Sequence, residues 1–140
     1  MSYIYDSNNN CFFCDNDKKT LHLPQIVWVV TDKCNYHCPF CFQPKTNTEI
    51  SINQLDLYID LFRKLGIQKI DISGGEPLFF DSFDILAKTL SSNGFYLTIS
   101  TNGSGSPKNR KWISENASLF SRIIISLDGC NEEQADSLCG

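Results

Sequence analysis

The sequence has no excess of positive charge, no long apolar run and no low-complexity tract, and each absence removes a class of function. Lys and Arg number 12 against 16 Asp and Glu, and the net charge of -4 supplies no electrostatic footprint for a phosphate backbone. Nucleic acid and an anionic membrane are therefore disfavoured partners. The longest apolar run, residues 26–30, is far too short to span a bilayer. The opening MSYIYDSNNN has neither the basic nor the apolar region of a signal peptide, and a cytoplasmic protein is expected. After Pro24 no Gly/Ser linker divides the chain. What remains, 140 residues with 41% hydrophobic, 12% aromatic and 20% charged, suits one soluble globular domain or a piece of one.

Cysteine is the residue in surplus. Seven is a high and odd count, and in a reducing compartment it reads as metal binding or catalysis more readily than as a disulfide framework. Three of them, Cys34, Cys38 and Cys41, stand at unequal gaps in CNYHCPFC. A structural zinc takes four ligands, which usually appear in sequence as two separated pairs. Three thiolates can instead hold three irons of a cubane iron-sulfur cluster and leave the fourth iron without a protein ligand. No fourth cysteine follows Cys41 at the spacing of a closed electron-transfer cluster. The competing assignment is a zinc site completed by His37 or Cys14, although His37 fits a solvent-facing loop position better.

From Pro24 onward, β-rich runs alternate with helical patterns. Strands are predicted at 26–31 (IVWVVT), 67–73, 95–101 and 122–127; the first lacks polar alternation, the pattern of a strand buried on both faces. Ser51 and Gln54 form a capping-box pattern ahead of Leu55, Ile59, Phe62 and Leu65, with Gly66 as the stop. A second helix starts at Asp81 or Ser82 and runs toward Gly94; a third has Ser106 as N-cap and Pro107 first, with Trp28 and Trp112 read as core. Strands joined by helices give a parallel α/β sheet with right-handed crossovers, whose C-terminal strand ends share one face. The cysteine loop, GGEP (74–77), TNG (101–103) and SLDG (126–129) each follow a strand and converge on that rim. Taken singly, GGEP and TNG can be mere turns, and Asp128 can simply cap a helix.

Together these motifs resemble the radical S-adenosylmethionine (SAM) superfamily. CNYHCPFC fits its CxxxCxxC pattern with an aromatic residue, Phe40, before the last cysteine, and GGEP, TNG and SLDG follow in its order. The resemblance implies an α/β fold, the N-terminal four βα units of a partial (β/α)6 barrel over residues 24–140, preceded by an extension over 1–23 that carries the CFFC pair. It implies a 4Fe-4S cluster on Cys34, Cys38 and Cys41 whose open iron is chelated by the amino and carboxylate groups of SAM. Reductive cleavage of SAM to methionine and a 5′-deoxyadenosyl radical would follow, then hydrogen abstraction from a substrate. An electron donor such as flavodoxin or ferredoxin is implied as a partner. By the same resemblance Gly74, Gly75 and Glu76 hold the methionine amino group, Pro77 stiffens that turn, and backbone near Phe40 meets the adenine. Ser100, Asn102, Ser126 and Asp128 are candidates for the ribose hydroxyls or the carboxylate end. The closest appearance is to the branch that modifies peptides and proteins, which makes a peptide the expected substrate.

The chain also departs from that pattern. The superfamily core resembles six βα units, and the sequence shows four strands, so it reads as the N-terminal part of a longer enzyme, a truncated product or a subunit completed by a partner. An open sheet of this kind is expected to expose an apolar edge. The tail DGCNEEQADSLCG resembles the family's DG…HD…RG segment, with Gln134, Ala135 and Asp136 near the His-Asp position and Cys139 where an Arg is expected. Cys11 and Cys14 read as part of a second metal or iron-sulfur site, with Cys130 and Cys139 as candidate completing ligands, or as an ordinary thiol pair. The alternative function is a non-catalytic iron-sulfur or zinc-binding module, or an inactive fragment of such an enzyme.

Overall fold

The structure is a computed structural model that describes residues 3–6, 11–14, 20–21 and 24–139, with backbone alone before Pro24 and at Glu132. Three short strands, β1 (Tyr3–Asp6), β2 (Cys11–Cys14) and β3 (Thr20–Leu21), form an antiparallel sheet in that order. The CFFC pair is β2 itself, and its side chains, with any second metal site on them, lie outside the described residues.

The β-branched runs that follow form a second, all-parallel sheet, because a helix returns the chain to the same end each time. The order is β4 (Gln25–Thr31), α1 (Leu55–Lys64), β5 (Lys69–Gly74), α2 (Phe83–Ser92), β6 (Tyr96–Thr101), α3 (Pro107–Glu115), β7 (Phe120–Ile125) and α4 (Glu132–Cys139). The strands lie side by side in chain order, as the successive βα units implied by the family resemblance require. One face of the sheet carries the core: Val30, Ile70, Ile72, Leu97 and Ile99 pack on Ile59 and Phe62 of α1 and on Phe83, Leu86 and Leu90 of α2. Trp28 meets Phe62 with ring centroids 5.0 Å apart, and Phe83 lies edge-on to Trp112 at 5.7 Å, so both tryptophans are packing residues as expected.

Two local expectations change. Ser51 makes no side-chain cap, because the first turn is a 3-10 turn over Ile52–Gln54. The Gln54 N–H that a capping hydroxyl would accept instead bonds the Ser51 carbonyl at 3.0 Å. Gly66, at φ 70°, ends α1 as predicted, since the left-handed turn there costs a residue without Cβ little. Strand β4 is not buried on both faces. Helices cover only one side of the sheet, and on the other side Val27 is 65% exposed. The expected apolar edge is present on β7, where Ile125 is also 65% exposed. Among the described residues no helix is long and apolar enough to cross a membrane.

Phe83 is fully buried and stacks on Phe120 at 6.2 Å besides its contact with Trp112. Phe83→Ala is expected to lower the unfolding free energy by about 3–5 kcal/mol. The check is a lower urea midpoint with an unchanged denaturant slope.

Candidate active site

The cysteine loop is closed at its base by one carboxylate. Asp32, directly after β4, is 5% exposed and accepts the backbone N–H of Thr46 at 3.0 Å and of Thr48 at 2.7 Å. It also accepts both threonine hydroxyls, that of Thr48 at 2.9 Å. Asn47, at φ 57°, takes the left-handed conformation that lets its two neighbours turn to the same acceptor. The Asp32 N–H returns a bond to the Thr48 carbonyl at 3.0 Å, and Lys33 pairs with Glu49 at 3.1 Å. Led by the Thr46 hydroxyl, these bonds hold the Asp32 carboxyl down to about 2 from its ordinary 3.8, against burial, which pushes it up.

The second loop docks onto this base through its glycines. The Gly75 N–H donates to the Thr31 carbonyl at 2.9 Å, and the Glu76 N–H to the Lys33 carbonyl at 2.8 Å. A Cβ on Gly74 would fall 2.2 Å from the Thr31 oxygen, and one on Gly75 would fall 2.6 Å from the Asp32 oxygen. The close approach these glycines permit is therefore made first to the backbone of residues 31–33. Pro77 is buried and opens a 3-10 turn over Pro77–Phe79.

Glu76 joins the second loop to the third. It is fully buried, and its Oε1 accepts the Leu78 N–H at 2.9 Å and the Thr101 hydroxyl at 2.6 Å. Its Oε2 accepts the Asn102 N–H at 2.6 Å. A carboxylate accepts and never donates, so three converging donors suit it. From there the TNG loop reaches the cysteines: Asn102 Nδ2 donates to Cys34 Sγ at 3.7 Å, and the Ser104 hydroxyl donates to Asn35 Oδ1 at 2.6 Å. The Tyr36 N–H also donates to Cys34 Sγ, at 3.4 Å. The fourth motif is fastened by the Ser126 N–H on the Thr101 carbonyl at 2.8 Å.

A cavity of about 360 Å³ opens between these loops. Cys34, Cys38 and Cys41 line it together with Phe40. So do Gly74 and Gly75 of the second loop, Ser100 near the end of β6, Asn102 just after it, and Ser126 and Asp128 after β7. Glu76 and Pro77 are buried and do not line it. Ser100 also donates to Asp71 at 3.3 Å. His37 is exposed and does not line the cavity. Asp128 does not cap α4; its Oδ2 lies 3.8 Å from Cys139 Sγ, and Cys139 lines the same cavity. Burial, the Cys38 thiol and the Asp128 carboxylate push the Cys139 thiol up. Sequence reasoning missed Asp32, Thr46 and Thr48, for which the only local signal was the hydroxyl-rich TNT run after the cysteines, and it placed Thr101 on the rim through TNG without its bond to Glu76.

A family model described as Radical SAM superfamily matches residues 28–140. The chain belongs to the radical SAM superfamily. Its relatives include a probable GTP 3′,8-cyclase of Pyrobaculum aerophilum, 29% identical over 89% of this chain and 41% of that protein. The GTP 3′,8-cyclase of Campylobacter jejuni is 36% identical over 78% of this chain and 36% of its own length. The S-adenosylmethionine-dependent nucleotide dehydratase RSAD2 of Oncorhynchus mykiss is 32% identical over 74% of this chain and 31% of its own length. Among solved structures, Streptococcus suis SuiB bound to its precursor peptide SuiA has a TM-score of 0.69 at 19% identity, covering 83% of this chain and 26% of that one. The chain thus spans less than half the length of the proteins it matches, and the four parallel βα units correspond to the N-terminal part of the radical SAM fold.

A 4Fe-4S cluster and SAM are the cofactors of this superfamily, and the donor set fits them. Three thiols line one cavity. A cubane takes each thiolate on a different iron, so three thiols spread around one cavity suit it.

Two outcomes test this framework. Because the Asp32 carboxyl is lowered in the fold, its stabilisation is complete above its ordinary 3.8 and is lost as pH falls toward about 2. The stability advantage of the wild type over Asp32→Asn should therefore close across that window in acid unfolding. Glu76→Gln puts an amide donor among three donors and is expected to cost about 1–3 kcal/mol. It should also speed exchange of the Asn102 amide proton; an unchanged exchange rate would count against the role of Glu76 as the link between the two loops.

Proposed function

We propose that this chain is the cofactor-binding core of a radical SAM enzyme, with the cluster on Cys34, Cys38 and Cys41 and SAM in the adjoining cavity. The observation that carries this is the convergence of all four motif loops on one cavity beside three thiols. When bound, the cofactors supply reductive cleavage of SAM and a carbon radical that abstracts hydrogen. The protein's part is placement. The backbone of Gly74 and Gly75 borders the cavity and offers polar groups for the methionine end of SAM, and Glu76 fixes that loop from beneath. Ser100, Asn102, Ser126 and Asp128 present side chains to the same space for the ribose hydroxyls or the carboxylate, and Phe40 borders it for the adenine. The N–H donors on Cys34 Sγ are of the kind that tune a cluster's potential. A one-electron donor such as flavodoxin or ferredoxin would feed it. The reducing cytoplasm would suit the five free thiols among the described residues.

The substrate is read in two ways. A peptide is favoured by the likeness of fold to SuiB, a structure of which holds a precursor peptide. A nucleotide is favoured by the GTP 3′,8-cyclase and nucleotide dehydratase relatives.

Anaerobic reconstitution should load wild type with iron and sulfide and yield 5′-deoxyadenosine from SAM and dithionite. Cys38→Ala should fall to the level of the protein-free control. Equal product from the two, or one tightly held zinc in place of iron, would sink the proposal in favour of a non-catalytic module.

A further inference from the structure

Of the five cysteines with described side chains, four line one cavity: the three of the loop and Cys139 in the last turn of α4. Cys130 is exposed and does not line it. The end of α4 is tied to the cysteine loop itself. The His37 N–H donates to the Cys139 carbonyl at 3.0 Å, and Cys38 Sγ donates to the same oxygen at 3.6 Å. One turn earlier Ala135 borders the cavity and packs so tightly on Gly129 that a Cβ there would lie 2.4 Å from its nitrogen. The helix is thus seated over the site from both ends of its last turn, with Cys139 lining the same cavity as the three cysteines of the loop and its sulfur 3.8 Å from Asp128 Oδ2.

Three thiolates leave one iron of a cubane without a protein donor, and thiolate is the usual donor for that position in closed clusters. We propose that Cys139 is a displaceable fourth ligand to that iron, holding it until SAM takes the position. This rests on the radical SAM assignment above. The exchange balances without electron transfer. On binding, the Cys139 sulfur gives its proton to water and donates a lone pair to iron; coordination supplies the driving force for deprotonation. When the amino and carboxylate groups of SAM take the iron, the iron–sulfur bond breaks with the pair on sulfur, which regains a proton. In this way Cys139 guards the reactive iron while SAM is absent and makes SAM compete for it.

The test uses limited ferricyanide oxidation of anaerobically reconstituted wild type, Cys139→Ala, Cys139→Ser and Cys130→Ala. An iron without a cysteine ligand is shed, leaving a three-iron cluster with its own electron paramagnetic resonance signal. Both Cys139 variants are expected to lose the fourth iron and show that signal, while wild type and Cys130→Ala keep four irons. SAM should bind the Cys139 variants more tightly and protect all four proteins alike. Equal three-iron signals in wild type and both Cys139 variants would overturn the assignment, as would a Cys38–Cys139 disulfide in the anaerobic holoprotein. Matching melting temperatures of the apo proteins separate these results from misfolding. A wild type that assembles no cluster at all would instead bring down the radical SAM assignment, and this inference with it.

Discussion

The site depends on one buried carboxylate. Glu76 has no access to solvent, so its charge is tolerable only because three donors from two loops satisfy it. The cost of leaving any of those donors unmatched ties the GGEP turn to the end of β6. That tie sets where Asn102 stands against Cys34, and the Thr101 carbonyl that receives Ser126 is part of the same end of β6. A parallel sheet delivers loops to a common rim but leaves them free to splay; the buried charge removes that freedom.

Asp32 does the same for the cysteine loop at its base. It gathers the N–H and hydroxyl groups of Thr46 and Thr48, so the loop leaves and re-enters the sheet at one point. The glycines at 74 and 75 complete the junction by letting two backbones meet at a distance no side chain allows. Thr31, Asp32 and Lys33 with Thr46, Thr48, Gly74, Gly75 and Glu76 thus form a single polar joint. It is rigid enough to present three thiols and open enough to leave a cavity beside them.

Much of this was legible in the sequence. The β/α alternation, the Ser106 cap with Pro107 and the Gly66 stop all follow from local pattern, and all are present. The cysteine spacing and the order of GGEP, TNG and SLDG named the rim and the superfamily. The Ser51 cap failed because backbone competition within one turn decides which acceptor an N–H finds, and residue types alone do not settle that. Burial of β4 on both faces failed for a different reason. An unbroken apolar run shows that both faces tolerate burial, whereas the helices cover only one.

The sequence by itself determined the four parallel strands, the three helices between them and which motifs follow each strand, because periodicity and motif spacing are properties of neighbouring residues; it did not show the β1–β3 sheet or α4. Tertiary structure alone decided what each polar side chain does there. Glu76 meets Thr101 across 25 positions, and Cys38 meets Cys139 across 101. Such pairings depend on how loops from separate strands fall together after the sheet has formed, so no local pattern could have shown that a motif glutamate lies beneath the cavity, or that a fourth thiol returns to the three.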